Sequence, residues 1–375
     1  MRRGPTAAAA ALVALVAAVD AGAATPFAVM PSARGHAVVA VSEGGQVVWR
    51  APLEGRPLGV TLVGGRAVAA LPDGLAAFDA ATGLPAWRLP LDGRPTPPVA
   101  FGALVAVGTS VSALVAVDPA TGAVAWTVDA GGPITGRPTA AGETLVAATR
   151  QRDVLAVTAD GRVRWRAAVS GRVTARTATA GGVVYIAALD GRLTGLDLET
   201  GQTRLLVDLP RPVDGGLVAE RDAGGGDRVV ARLEDGTLAG YRLPPAPGLE
   251  ARPAWTFEAA PDVPEPTAGG GRLYIGGRDL VALDLATGRV AWRLTETLGK
   301  SFARELVRRL VERERGLSPE EIRAARAASP YELRGAVTRS PVATGALVLA
   351  ATDEGFLYAV DAATGELRWR VAEGD

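Results

Sequence analysis

The chain has 375 residues, 48% of them apolar and 5% aromatic, with 47 glycines and 26 prolines, a mixture that suits many short strands better than a few long helices. Its 40 basic residues balance 40 acidic ones, so no electrostatic footprint for nucleic acid is present. Having no cysteine excludes disulfides, thiolate metal sites, covalent haem, a cysteine nucleophile and lipidation at a lipobox, and the single histidine, His36, leaves no multi-histidine site or Ser-His-Asp triad to assemble.

Residues 1–23 read as a secretory signal. Arg2 and Arg3 open it, Ala7 to Val19 is apolar, and Ala21-Gly22-Ala23 fits a small-residue cleavage site, so the mature chain is expected to begin at Ala24. The apolar run is short for a bilayer span; an uncleaved anchor is the alternative. No later segment has transmembrane character, and 24–375 read as one domain.

A repeat then runs to the end. Segments closing on tryptophan read VSEGGQVVW (Trp49), DAATGLPAW (Trp87), DPATGAVAW (Trp126), TADGRVRW (Trp165), DLATGRVAW (Trp292) and DAATGELRW (Trp369); DLETGQTRL carries Leu205 instead, and a degenerate copy ends at Trp255. Successive spacings are 38, 39, 39, 40, 50, 37 and 77 residues. The 50 contains LPPAPGLEARP, and the 77 equals one repeat plus a long insertion. A unit of this length is that of a four-stranded propeller blade. Within 172–207, the run VTARTATA, a Gly-Gly turn, VVYIAAL, an Asp-Gly turn, RLTGLDL, a Thr-Gly turn and QTRLLV spell four strands joined by hairpins. The predicted fold is all-β: an eight-bladed β-propeller of four-stranded antiparallel blades, with a two-helix insertion before the last blade.

The regular recurrence of Trp49, Trp87, Trp126, Trp165, Trp255, Trp292 and Trp369 predicts that these indoles dock between blades, each N–H bonded to neighbouring backbone; ligand stacking is the alternative. The first copy, from Phe27 to Trp49, is shorter than the rest. Ring closure is expected to join it to the last blade, 341–371, sealing strand edges that would otherwise invite aggregation. His36 falls in a loop of that copy.

The insertion, 297–334, places Leu298, Phe302, Leu306 and Leu310 on one helical face, and Ser318-Pro319-Glu320-Glu321 reads as the start of a second helix. Two helices leaving an all-β ring must cover a blade edge, the channel mouth or another protein. Phe302, Leu306 and Leu310 are therefore candidates for partner docking.

The connections leading into each blade repeat an arginine, at Arg56, Arg94, Arg137, Arg172, Arg211 and Arg339, often as Gly-Arg-Pro. Ringing the channel mouth, they would suit an anionic partner. The hairpins expected on the same face repeat an aspartate, at Asp73, Asp153, Asp190, Asp235, Asp279 and Asp353, so ordinary surface ion pairs are the competing reading.

The motif A-x-D-x-x-T-G-x-x-x-W, which stands complete at Ala77–Trp87, Ala116–Trp126, Ala282–Trp292 and Ala359–Trp369, resembles the tryptophan-docking motif of quinoprotein (PQQ) propellers. Within that family the chain is most similar to the exported, non-enzymatic BamB-type propellers of outer-membrane protein assembly. It departs from them in lacking a cysteine to lipidate. The resemblance implies a monomeric, non-catalytic scaffold in the periplasm or cell envelope, with a protein partner and no cofactor. The alternative is a quinoprotein-type enzyme holding PQQ or a sugar in the channel. PQQ dehydrogenases resemble the chain in their blades, but no acidic-amide cluster for their calcium can be carried over onto it.

Overall fold

Each repeat folds as a meander because its apolar runs are short and its turns hold residues that accept turn geometry. In the copy at 178–208, strands Ala178–Ala180, Val183–Ala187, Arg192–Asp197 and Thr203–Asp208 pair antiparallel in sequence order. The second strand is buried along its whole length, as a strand covered on both faces must be. The outermost strand alternates: Leu205 and Val207 face inward, while Thr203, Arg204, Leu206 and Asp208 face water.

The computed structural model describes residues 36–134, 136–173, 176–222, 225–243, 252–260, 263–295, 333–338 and 340–372, preceded by two short strands, Leu15–Val16 and Phe27–Ala28. Seven four-stranded antiparallel sheets follow one another along the chain. We call them blade I (59–90), II (99–129), III (139–168), IV (178–208), V (213–258), VI (267–295) and VII (342–372). From blade I to blade VII the innermost strands of successive blades lie side by side, so the chain builds a β-propeller around a central channel.

The core is divided among the joints rather than gathered at one centre. Eight clusters of buried apolar side chains each draw on two neighbours. Two of the eight involve the first repeat: Val39 and Val41 pack against Leu349, Leu357 and Val371 of blade VII, and Val38 and Ala40 pack against Val60, Ala67 and Ala69 of blade I. The first repeat thus fills the place between the last blade and blade I.

It does so with only part of a blade, which corrects the expectation of eight four-stranded blades to seven. His36–Val41 and Val47–Leu53 form a two-stranded sheet, and Phe27–Ala28 pairs separately with Leu15–Val16. Upstream of His36 the described residues hold only the two-residue strands Leu15–Val16 and Phe27–Ala28, and these form a sheet of their own. The strand Leu15–Val16 falls inside the segment that the sequence assigns to the export signal.

The expected two-helix insertion, with Phe302, Leu306 and Leu310, lies outside the described residues except at its end, and no helix occurs among the described residues. Leu333 and Arg334, placed by sequence within the insertion, belong to the ring. Leu333 is fully buried, its N–H donates to Thr295 O at 3.1 Å, and Arg334 N–H donates to Tyr358 Oη at 2.7 Å.

At seven joints an indole bonds across to the next repeat. Its Nε1–H donates from Trp49 to Ala80 O, from Trp87 to Pro119 O, from Trp126 to Ala159 O and from Trp165 to Leu198 O, at 2.8–2.9 Å. Trp255, Trp292 and Trp369 donate to Leu285 O, Ala362 O and Glu43 O at 3.0, 3.0 and 2.6 Å. The receiving turn needs glycine twice over. Gly83 has φ +72°, and a Cβ there would lie 2.6 Å from the Trp49 ring. The aspartate of the motif holds that turn in shape: Asp79 Oδ1 accepts from Ala81 N, Thr82 N and Thr82 Oγ1. The remaining joint, between blades IV and V, carries Leu205.

Candidate functional site

Two sets of loops share one end of the ring. The connection entering each blade runs against the hairpin between that blade's second and third strands, through isolated bridges Pro95↔Thr109, Ile134↔Thr149, Val173↔Ala188 and Val337↔Thr352. Backbone bonds reinforce the contact: Ser110 N–H donates to Arg94 O, and Leu189 N–H to Arg172 O, both at 3.0 Å. The repeated arginines and aspartates therefore lie on a common rim.

The arginines do not behave as one set. Arg56, Arg94 and Arg172 are exposed on the rim. Arg211 is held by Asp235 at 3.1 Å. Arg339 lies outside the described residues. Other rim aspartates engage arginines of the outermost strands instead: Asp73 with Arg88 at 2.8 Å and Asp279 with Arg293 at 3.6 Å. Asp190 accepts the backbone N–H of Arg192 and shapes its own turn, while Asp353 accepts that of Ala336 and ties the entering connection to its hairpin. His36 opens the strand His36–Val41 rather than sitting in a loop.

Arg137 is separate from the rest. It stands three residues beyond the bridge residue Ile134, as Arg176 stands three residues beyond Val173. Both line the channel, in a cavity of about 550 Å³ bounded by Thr61, Thr139, Thr177 and the inner strands of blades II to VI. The Gly-Arg-Pro spelling groups Arg137 with rim residues; its offset from the bridge pairs it with Arg176, an arginine that the motif does not include.

Across the cavity, Glu265 Oε2 lies 3.7 Å from Arg176 Nε. Thr177 Oγ1 donates to Thr139 Oγ1 at 2.8 Å, and Thr139 Oγ1 donates to Thr177 O at the same distance. Arg137 Nε and Thr61 Oγ1 are enclosed without a hydrogen-bond partner. Burial pushes the Arg137 guanidinium down to about 10; neighbouring Arg176 acts the same way, and Glu265 opposes it. Two guanidinium groups against one carboxylate, on a wall of threonines, can hold an anion by hydrogen bonds. The lining offers no nucleophile paired with a base, and no group of three or more His, Cys, Asp or Glu able to hold a metal occurs among the described residues. The acidic and amide ligands that a calcium–PQQ centre needs do not converge on this lining, so the described channel does not fit that group.

No curated protein matches the chain in sequence. Among solved structures, the crystal structure of BamB from Moraxella catarrhalis superposes with a TM-score of 0.67 at 18% identity, over 92% of this chain and 93% of that one. The computationally designed Ika8 protein superposes with a TM-score of 0.61 at 14% identity, over 96% of this chain and 95% of that one. Likeness at such identities establishes the fold. The family model described as outer membrane protein assembly factor BamB matches residues 33–114, 110–245 and 250–374. With nearly the whole ring covered by that match, the chain belongs to the BamB family of PQQ-like β-propellers.

Proposed function

We propose that this protein is a non-catalytic interaction scaffold of the BamB type, acting outside the cytoplasm in the assembly of outer-membrane or other envelope proteins. The observation that carries this reading is the family match along 33–374. The N-terminal signal expected from the sequence agrees with it. No helix among the described residues is long and apolar enough to cross a membrane; the proposed tether at the envelope is a protein partner. The rim bearing Arg56, Arg94, Arg172 and Arg211 is the proposed contact face, and it suits a partner with acidic loops. Phe302, Leu306 and Leu310 are proposed as a second docking element. The chain acts as a monomer.

The test is cross-linking in intact cells followed by purification of the tagged full chain. An envelope assembly component should be captured, and capture should fall about tenfold for a variant with Arg56, Arg94 and Arg172 changed to glutamate, as rim charge reversal slows encounter. Capture of no envelope component, or dye-linked dehydrogenase activity after incubation with PQQ and calcium, would overturn the scaffold reading.

A further inference from the structure

The joint between blades IV and V departs from the other seven in two linked ways. Leu205 occupies the register position of the indole: it pairs with Gly195, as Trp87 pairs with Ala77 and Trp255 with Gly240. Two residues beyond Gly240, Arg242 stands where five of the other seven joints have the motif aspartate, the position of Asp79 two residues beyond Ala77; the remaining two have Thr158 and Ser42. One joint has thus lost its large flat side chain and gained an arginine at the motif position.

The result is a hollow. A cavity of about 550 Å³ opens beside Leu205. Its apolar wall is Leu205, Val183 and Leu243, and Leu243 holds the position whose carbonyl receives the indole N–H elsewhere, that of Ala80 in blade I. Arg204, Arg221 and Arg242 line its polar side. Arg221 Nη2 donates to Gly225 O at 3.2 Å, Arg242 Nε lies 3.6 Å from Asp222, and Arg204 pairs with Asp197. Each guanidinium carries five N–H donors in a planar fork, so donors remain beyond the described contacts. The one carboxylate of the lining, Asp227, accepts the Tyr185 hydroxyl at 2.5 Å through Oδ2, while its Oδ1 is enclosed without a hydrogen-bond partner.

We propose that this cavity is a ligand site for a planar aromatic ring bearing a carboxylate, the ring taking the place of the missing indole against Leu205 and the carboxylate meeting the arginine trio. Both features come from one joint. Its apolar wall lies at the one joint without an indole, and Arg242 is an arginine that no other joint has at that position. A vacant slot alone would favour any apolar body, whereas three guanidinium groups at its edge select an anionic one. The site is distinct from the channel and from the rim.

Isothermal titration of the full chain with indole-3-acetate, beside indole and acetate as single-feature controls, tests this. Saturable binding of indole-3-acetate is expected, with each control weaker by about tenfold or more, the usual range for a charge-assisted hydrogen bond or an aromatic contact. Leu205→Trp, which refills the slot, should abolish binding. Arg242→Asp, which restores the acidic residue of five other joints on an exposed position, should weaken it about tenfold or more and keeps the test decisive if the Leu205→Trp protein does not fold. Absence of saturable binding, unchanged affinity in a folded Leu205→Trp or Arg242→Asp protein, or loss of binding in Arg137→Met, which would move the site to the channel, would each overturn the assignment.

Discussion

The indole of Trp369, near the C-terminus, donates its N–H to the carbonyl of Glu43 at 2.6 Å across a sequence separation of 326 residues. A Cβ on Gly45 would lie 2.6 Å from the same ring, and Gly45 has φ +81°. This joint repeats the chemistry of the other indole joints, but it alone ties the end of the repeat array to its beginning. Trp369→Leu is expected to destabilise the protein by about 2–4 kcal/mol, from lost aromatic burial and an unpaired carbonyl, measured as a shift in the urea midpoint at unchanged slope.

Removing the receiving half of that joint should be worse than weakening it. Deletion of residues 27–50 takes away Glu43, Gly45 and most of the strand pair that fills the place between blade VII and blade I. It leaves two unpaired blade faces. The product is expected to aggregate, and a soluble monomer on size-exclusion chromatography would contradict closure through the first repeat.

The turn aspartates set an acid limit. Asp361 is held at about 2, first by the hydrogen bond from Arg368 and then by backbone donation from Thr364; Asp79, Asp197 and Asp284 are lowered as well. A carboxyl with a folded pKa below its unfolded one, about 3.9, stabilises fully above the unfolded value and loses that contribution as pH falls through the folded one. Melting temperature should therefore be flat near neutrality and fall between about pH 4 and pH 2. Asp361→Asn should lower it at pH 7 and flatten the acid limb.

The channel pair Arg176–Glu265 gives an asymmetric prediction. Glu265→Gln leaves Arg137 and Arg176 facing each other without the neighbouring carboxylate and should cost about 1–3 kcal/mol. Arg137→Met removes a desolvated guanidinium whose Nε has no partner and should be neutral or stabilising. Chemical denaturation of both variants, with the double variant, measures the coupling.

Arg152 adopts φ +78° in the hairpin between the second and third strands of blade III, where blade IV has Gly191 at φ +77°. Its side chain makes one exposed bond, to Ser170 O at 3.2 Å. Arg152→Gly relieves left-handed strain and should stabilise by about 0.5–1 kcal/mol, read as a raised melting temperature.

The ring was legible in the sequence because each blade restates one unit, so a period near 39 with Thr-Gly turns fixes strand order and joint number together. What the period conceals is where one unit is incomplete. The copy ending at Trp49 has the turn and the indole of a full repeat, yet only its outer two strands join one sheet, because turn spelling carries no information about strands supplied from upstream. Arg137 shows a second limit. Gly-Arg-Pro is a local spelling, and the side chain's address depends on its offset from the bridge at Ile134, a pairing visible only in three dimensions. Leu205 was visible as the copy without tryptophan. The hollow beside it was not, because Arg221 and Gly225 come from the next blade.

The single hydrogen bond from Leu333 N–H to Thr295 O means that the chain departs from the ring and rejoins it at one doorstep. Closing an excursion between such neighbouring anchor points costs only logarithmically more as it lengthens. Segments of very different size can be spliced at that threshold while the joints on either side keep their contacts. Evolution can thus remodel what is displayed there without renegotiating the architecture that displays it.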